Sequence, residues 1–263
     1  MSKEILPKSK HLLVVGDNSR MKKDFERYYE VWPDFPNFVD CCITSPPYRD
    51  EDGYDTLNID NVAMTLNEYL TGPLWLNFGD LAGQMFRAPL TAMFFHDWGF
   101  EFKQTIIWAK HQGGKGQYTP HQSNYMFNNH HEYIYLMYPK QHQEFYLIDR
   151  YANGVPYTDK LNTTRWKHGR KVACPGSIWF IPYETIQNAD QKLSSMRFPL
   201  ALPTKCLLHT HLPKDAWVLD PWGGSGTVAL AAKNLGYNSL TYEKDLSMVT
   251  VIQERVPEIE VIE

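Results

Sequence analysis

Short apolar runs alternate with amphipathic stretches along the chain. His11-Leu12-Leu13-Val14-Val15 reads as a buried strand, and Gly16-Asp17-Asn18-Ser19 supplies a turn and a cap for a helix over about 20–29. Phe38 to Ile43 predicts a second strand that delivers Thr44-Ser45-Pro46-Pro47-Tyr48 at its C-terminal end. Arg49 to Asp60 is acidic and turn-rich and reads as a loop. Leu74 to Phe78 predicts a third strand, followed by a helix over about 81–96 and a fourth strand over 102–108. The segment from His111 to Asn129 is rich in Gly, Gln, Asn and His and reads as a loop facing something polar. Glu132 to Tyr138 returns to a strand pattern that Pro139 stops. Gln141 to Pro175 carries little periodic hydrophobicity and is expected to be an insertion, leaving residues 1–140 and 176–263 as the main domain. A helix near Thr204 to His211, a strand at Trp217-Val218-Leu219, a helix over 227–235 and a strand over 239–242 complete the alternation. Strands alternating with helices imply an α/β fold with a doubly wound, mostly parallel sheet.

Composition narrows the class. At 263 residues, 43% hydrophobic and 21% charged, the chain can bury a substantial core. No apolar run approaches the roughly 20 residues of a membrane helix. Met1 to Pro7 lacks the apolar core of a signal peptide, so a cytoplasmic protein with no membrane partner is expected. Cys41, Cys42, Cys174 and Cys206 show no Cys-x-x-Cys spacing and read as buried free thiols. His130-His131 and His209-x-His211 lack the spacing and the acid of a zinc site, and no metal is expected. A net charge of −4 argues against indiscriminate binding along a polyanion. Local charge differs: residues 160–171 hold Lys160, Arg165, Lys167, Arg170 and Lys171 with no acid, beside Trp166 and His168. Such a stretch can touch phosphates and stack on bases, or be a solvated loop.

Two motifs carry the chemistry. Val218-Leu219-Asp220 runs into the turn Pro221-Trp222-Gly223-Gly224-Ser225-Gly226-Thr227 and then a helix, the strand-turn-helix arrangement that binds adenosine-type ligands. It is neither the dinucleotide fingerprint nor a phosphate loop, since no Gly-Lys-Ser/Thr occurs, and a ligand without phosphates is favoured. S-adenosylmethionine fits: Asp220 would lie beside its cationic methionine portion, and Glu243, about 20 residues on, would bond the ribose hydroxyls. Asp17, at the end of the first strand, could reach the adenine or simply cap a helix.

The second motif is Ser45-Pro46-Pro47-Tyr48. Two successive prolines remove backbone donors, keep carbonyl acceptors and hold the chain extended. The Ser45 hydroxyl and the Pro46 carbonyl could hold both hydrogens of a planar amine, drawing its nitrogen towards tetrahedral geometry and exposing the lone pair for attack on a methyl group. Tyr48 would stack on the base. An amine inside a duplex would have to be flipped out of the stack first. Alone, a Pro-Pro-Tyr triplet more often marks a loop or a ligand for an adaptor domain.

In this order the motifs resemble those of the beta-class DNA amino-methyltransferases over about Leu12 to Met248. The matching pieces are Gly16-Asp17, Val39-Asp40 leading to Thr44-Ser45-Pro46-Pro47-Tyr48, Ile106-Ile107-Trp108-x-Lys110, His131-Glu132-Tyr133, Phe198-Pro199, the Asp220–Thr227 turn and Glu243. The resemblance implies a Rossmann-like methyltransferase fold and an S-adenosylmethionine site built from the turn, Glu243, Phe198 and Pro199. It assigns the target amine to the Ser-Pro-Pro-Tyr motif. It places target recognition in 141–175, with Lys110, Arg165, Lys167, His168, Arg170 and Lys171 as DNA contacts. Ser at the first motif position is similar to enzymes that make N4-methylcytosine, whereas Asp is commoner for N6-methyladenine. The chain departs from the family pattern in two places: the stretch between Tyr48 and Leu74 lacks an Arg-x-Leu-Lys-x-Gly helix end, and Trp222 replaces Phe. DNA is the implied partner, and a cognate restriction enzyme of a restriction-modification system and a homodimer are compatible with the class. Competing readings are N6-adenine methylation, methylation of RNA or of a protein amide, and a nucleic-acid-binding module without catalysis.

Overall fold

The computed structural model describes residues 9–47, 58–80, 86–110, 129–142, 147–152, 155–156, 172–182 and 198–263. Its centre is a nine-stranded sheet. Strand β1 spans His11–Val15, β2 Cys41–Thr44, β3 Leu74–Phe78, β4 Phe100–Ala109 and β5 His131–Pro139. A short pair, β6 at Val155–Pro156 and β7 at Val172–Ala173, forms a separate antiparallel ribbon. Then come β8 (Ile178–Phe180), β9 (Trp217–Asp220), β10 (Asn238–Glu243) and β11 (Glu260–Ile262). The order is β11-β1-β10-β9-β2-β3-β5-β4-β8, and every neighbouring pair is parallel except those made by β5. The expected doubly wound, mostly parallel sheet is therefore present.

Helices α1 (Met21–Val31), α2 (Ile59–Tyr69) and α3 (Arg87–Asp97) share one hydrophobic cluster with Leu12, Val14, Cys42, Leu76 and Leu219. Helices α4 (Ala201–His209) and α5 (Thr227–Leu235) share another with Cys41, Ile43, Trp75, Trp108 and Val218, and α6 (Leu246–Arg255) packs with Leu13 and Ala229. Successive residues such as Cys41 and Cys42 fall in different clusters because strand side chains alternate faces. With helices covering both faces, the central strands read as unbroken apolar runs.

Several expectations are corrected. Helix α2 begins at Ile59, inside and beyond the stretch read as loop; Ile59, Val62, Ala63 and Leu66 are buried at helical spacing. Helix α4 starts at Ala201 rather than Thr204 and ends at His209. The second strand is shorter than expected, and Val39 makes only an isolated bridge to Leu70. Of the four free thiols, Cys174 is exposed rather than buried. Helix α3 occupies 87–97, and residues 81–85 of the expected helix lie outside the described residues.

Chain connections reverse direction between β9 and β2. From β2 the chain moves through α2 to β3 on one side; from β9 it moves through α5 to β10 on the other. Open parallel sheets bind ligands at the carboxyl ends of the strands flanking such a reversal. Those two ends are Thr44-Ser45 and Asp220.

Candidate active site

Strand β2 is wholly buried between β9 and β3, and it stops where Pro46 and Pro47 can no longer donate to a ladder. Its last residue, Thr44, donates its hydroxyl to Asp220 Oδ1 at 2.7 Å, with both side chains buried. The two sequence motifs thus meet through a direct side-chain hydrogen bond. Ser45 follows half-buried, Pro46 is buried and Pro47 is exposed; Tyr48 lies outside the described residues.

The turn after β9 is closely braced. Trp222 N–H donates to Asp220 Oδ1 at 3.2 Å, Asn18 donates its amide to the Pro221 carbonyl at 3.1 Å, and Gly223 N–H reaches the Tyr242 carbonyl at 2.8 Å. A Cβ on Gly223 would stand 2.3 Å from Thr241 Cγ2 and 3.0 Å from the Tyr242 carbonyl oxygen, so only glycine lets the turn close on β10. Glu243, at the end of β10, accepts from Gly224 N–H through Oε2 and from Asp245 N–H through Oε1, both at 2.7 Å. Gly16 N–H donates to the Glu243 carbonyl at 2.9 Å, which brings the end of β1 to the same rim. Asp17 is a cap: its Oδ1 accepts from Ser19 N–H at 2.8 Å and from the Asn58 amide at 2.7 Å, while Lys244 stands 3.7 Å from Oδ2. Phe198 and Pro199 are buried at the entrance to α4, and Phe198 shares a hydrophobic cluster with Val228 and Ala231 of α5.

Electrostatics single out Asp220. Burial pushes its carboxyl up to about 8, the Thr44 hydroxyl and Trp222 N–H pull it partly back, and the negative Glu243 raises it further. Burial also raises Glu243, against the N–H groups of Asp245 and Gly224. Residues 220–227 contain no basic side chain. Two carboxyl groups on neighbouring strand ends, both costly to ionise when the site is empty of charge, suit a cationic ligand that carries no phosphate.

Against this geometry, the family model described as DNA methylase, covering the N6 and N4 methyltransferases, matches residues 39–254. The chain belongs to this DNA methylase family. It is a DNA amino-methyltransferase of the N6/N4 type. The DNA methylase is 26% identical to the type II methyltransferase M.HpaI of Haemophilus parainfluenzae over 235 residues, which cover 84% of this chain and 68% of that protein. Its fold resembles the M1.HpyAVI–SAM complex, with a TM-score of 0.63 at 20% identity over 94% of this chain and 98% of the other. It also resembles the PvuII DNA methyltransferase, described as cytosine-N4-specific, with a TM-score of 0.65 at 16% identity over 94% and 86% of the two chains.

Not every residue singled out in the sequence sits at the rim of this methylase. Lys110 is paired with Glu132 at 2.5 Å, with little side-chain exposure, and stands 5.4 Å from the centre of the Trp108 ring. Trp108 itself is core, donating its indole N–H to the Ile181 carbonyl at 2.8 Å. Arg165, Lys167, His168, Arg170 and Lys171 lie outside the described residues. Four supporting residues were not read in these roles from the sequence: Thr44 and Asn18, which stand within quoted motifs, and Asn58 and Arg255, which do not. Each acts across a long stretch of chain, and a motif reading names Thr44 and Asn18 without revealing their distant partners.

Proposed function

We propose that this protein transfers the methyl group of S-adenosylmethionine to the exocyclic amine of a flipped base in DNA, with cytosine N4 as the preferred target. The observation that carries the reading is the pairing of β2 with β9, which sets Ser45 and Pro46 directly beyond the Thr44–Asp220 hydrogen bond. The choice of cytosine rests on serine at the first position of the amine motif.

The residues present fit the methyl donor. Gly223 lets the turn close on β10 and so fixes the shape of the rim, Asp220 would face a cationic group with an acid, and Glu243 keeps lone pairs for hydroxyl donors beyond its two backbone bonds. S-adenosylmethionine supplies an electrophilic methyl group on a sulfonium. The work of the chain is positional. The Ser45 hydroxyl and the Pro46 carbonyl accept the two amine hydrogens, localising the nitrogen lone pair and holding it for in-line attack. As the N–CH3 bond forms the S–CH3 bond would break, leaving the donor as a neutral thioether, and the extra proton on the nitrogen would pass along this acceptor edge to water. Tyr48 supplies the stacking surface for the extruded base. No covalent enzyme–base intermediate is needed, and burial holds the Cys41, Cys42 and Cys206 thiols well above their ordinary range, unsuited to nucleophilic attack.

Target recognition belongs to 141–175 on this reading, with Arg165, Lys167, His168, Arg170 and Lys171 against the DNA. In support, β6 and β7 pair with each other outside the main sheet, while Asp149 N–H bonds the His209 carbonyl at 2.7 Å and anchors the start of the segment to α4. Mass spectrometry of nucleosides from DNA treated with the protein and S-adenosylmethionine tests the proposal. N4-methylcytosine is expected; N6-methyladenine alone would overturn the cytosine assignment, and methylation confined to RNA or peptide would overturn the DNA reading.

A further inference from the structure

The glycine-rich turn is held from behind by a residue that lies in neither motif. Arg255 closes α6, and its Nη1 donates to the Ser225 carbonyl at 2.5 Å, the Ser225 hydroxyl at 2.9 Å and the Thr227 hydroxyl at 3.1 Å. The two hydroxyls stand 3.3 Å apart and both side chains are buried. The same helix closes on the turn at a second point: a Cβ on Gly226, whose φ is +71°, would come within 3.0 Å of Ile252 Cγ1. Arg255 falls one residue beyond the family match, which ends at residue 254.

Charge alone does not explain this placement. The C-terminal end of α6 favours a cation, but the guanidinium also lies at the first residue of α5, where the helix dipole disfavours one. What recommends the site is its set of acceptors. Hydrogen bonds from a charged donor are roughly twice as strong as neutral ones, and one planar group reaches a backbone carbonyl and two side chains on either side of Gly226.

We propose that Arg255 is a positioning residue for the methyl donor, acting through Ser225 and Thr227 to keep the 220–227 turn in its ligand-ready shape before binding. This rests on the reading of that turn as the S-adenosylmethionine site. The Ser225 and Thr227 hydroxyls are then braces of the turn rather than ligand contacts. A turn ordered in advance spares the ligand the entropy of ordering it, so the effect appears in affinity and not in the transfer step.

Calorimetric titration of the full chain with S-adenosylmethionine and with its demethylated product, alongside steady-state kinetics and thermal melting, tests this. Arg255→Met is expected to weaken both ligands about tenfold, the equivalent of about 1.4 kcal/mol. KM for S-adenosylmethionine should rise in parallel while kcat at saturation stays within about twofold, and Arg255→Lys should recover part of the affinity. A merely structural role would lower the melting temperature and leave the affinity of the folded protein intact. If Arg255→Met does not fold, Thr227→Val removes one acceptor at nearly constant volume and should weaken both ligands about threefold. A folded Arg255→Met, or in its place Thr227→Val, with wild-type affinity overturns the proposal. Failure of the wild-type protein to bind S-adenosylmethionine would instead overturn the cofactor reading.

Discussion

Asp220 is the residue at which the two motifs touch, and its ionisation is the most sensitive property of the site. Folding buries the carboxyl and raises it from 3.8 to about 8. An unfolded chain releases this proton near the lower value, so between the two values the folded state alone holds it. The contribution of Asp220 to stability therefore falls as pH rises through that window and is constant above it. Asp220→Asn should abolish this part of the pH dependence, read as the difference in melting temperature between wild type and variant from about pH 5 to about pH 9. A cationic ligand reverses the preference by favouring the ionised carboxyl. Affinity for S-adenosylmethionine should rise between about pH 6 and about pH 8 in the wild type and respond little to pH in Asp220→Asn, as titration at several pH values would reveal. A flat wild-type profile would mean that Asp220 does not face the charge.

At the scale of elements, the chemistry on the proposed reading lies at the ends of β2 and β9, which the helices hold in register. Helix α2 buries Val62, Ala63 and Leu66 against the sheet face that carries Cys42 and Leu219. Leu66→Ala should cost about 2–5 kcal/mol of stability in chemical denaturation. Both motif strands were legible in the sequence because proline and glycine punctuate their ends, and because parallel strands buried on two faces are continuously apolar. Helix α2 was not, since its first turn contains Asp60 and Asn61 and follows an acidic stretch that masks the apolar spacing behind it. Helix α6 and strand β11 were also missed: α6 buries only Met248, Val249 and Ile252 while Leu246 at its start is exposed, so its apolar stripe is short, and Glu260–Ile262 is three residues long. The antiparallel direction of β5 has no residue signature at all, because direction is set by the connection that precedes a strand.

At the scale of the molecule, the labour is divided on the proposed reading: ligand chemistry at the β9–β2 reversal and target recognition in 141–175, of which Asp149 is hydrogen-bonded to the end of α4. Hydrogen bonds between distant segments, such as Thr44 with Asp220 or Arg255 with Ser225, are visible only in three dimensions. Neutralising Arg165, Lys167, Arg170 and Lys171 together should weaken DNA binding and flatten its salt dependence, by about one unit of log–log slope for each phosphate these side chains neutralise, with S-adenosylmethionine affinity unchanged. Fluorescence anisotropy across a salt series would measure it, and an unaltered slope would remove the segment from the interface.

On the proposed reading the chemistry turns on Ser45 holding the target amine, while other residues bind the methyl donor. Ser45→Ala separates the two functions. Measured on one preparation, DNA methylation should fall about 100-fold, the scale seen when one positioned hydrogen-bonding group is removed from a reacting centre, while calorimetric affinity for S-adenosylmethionine stays at the wild-type value. Methylation at the wild-type rate with binding intact would contradict this role for Ser45.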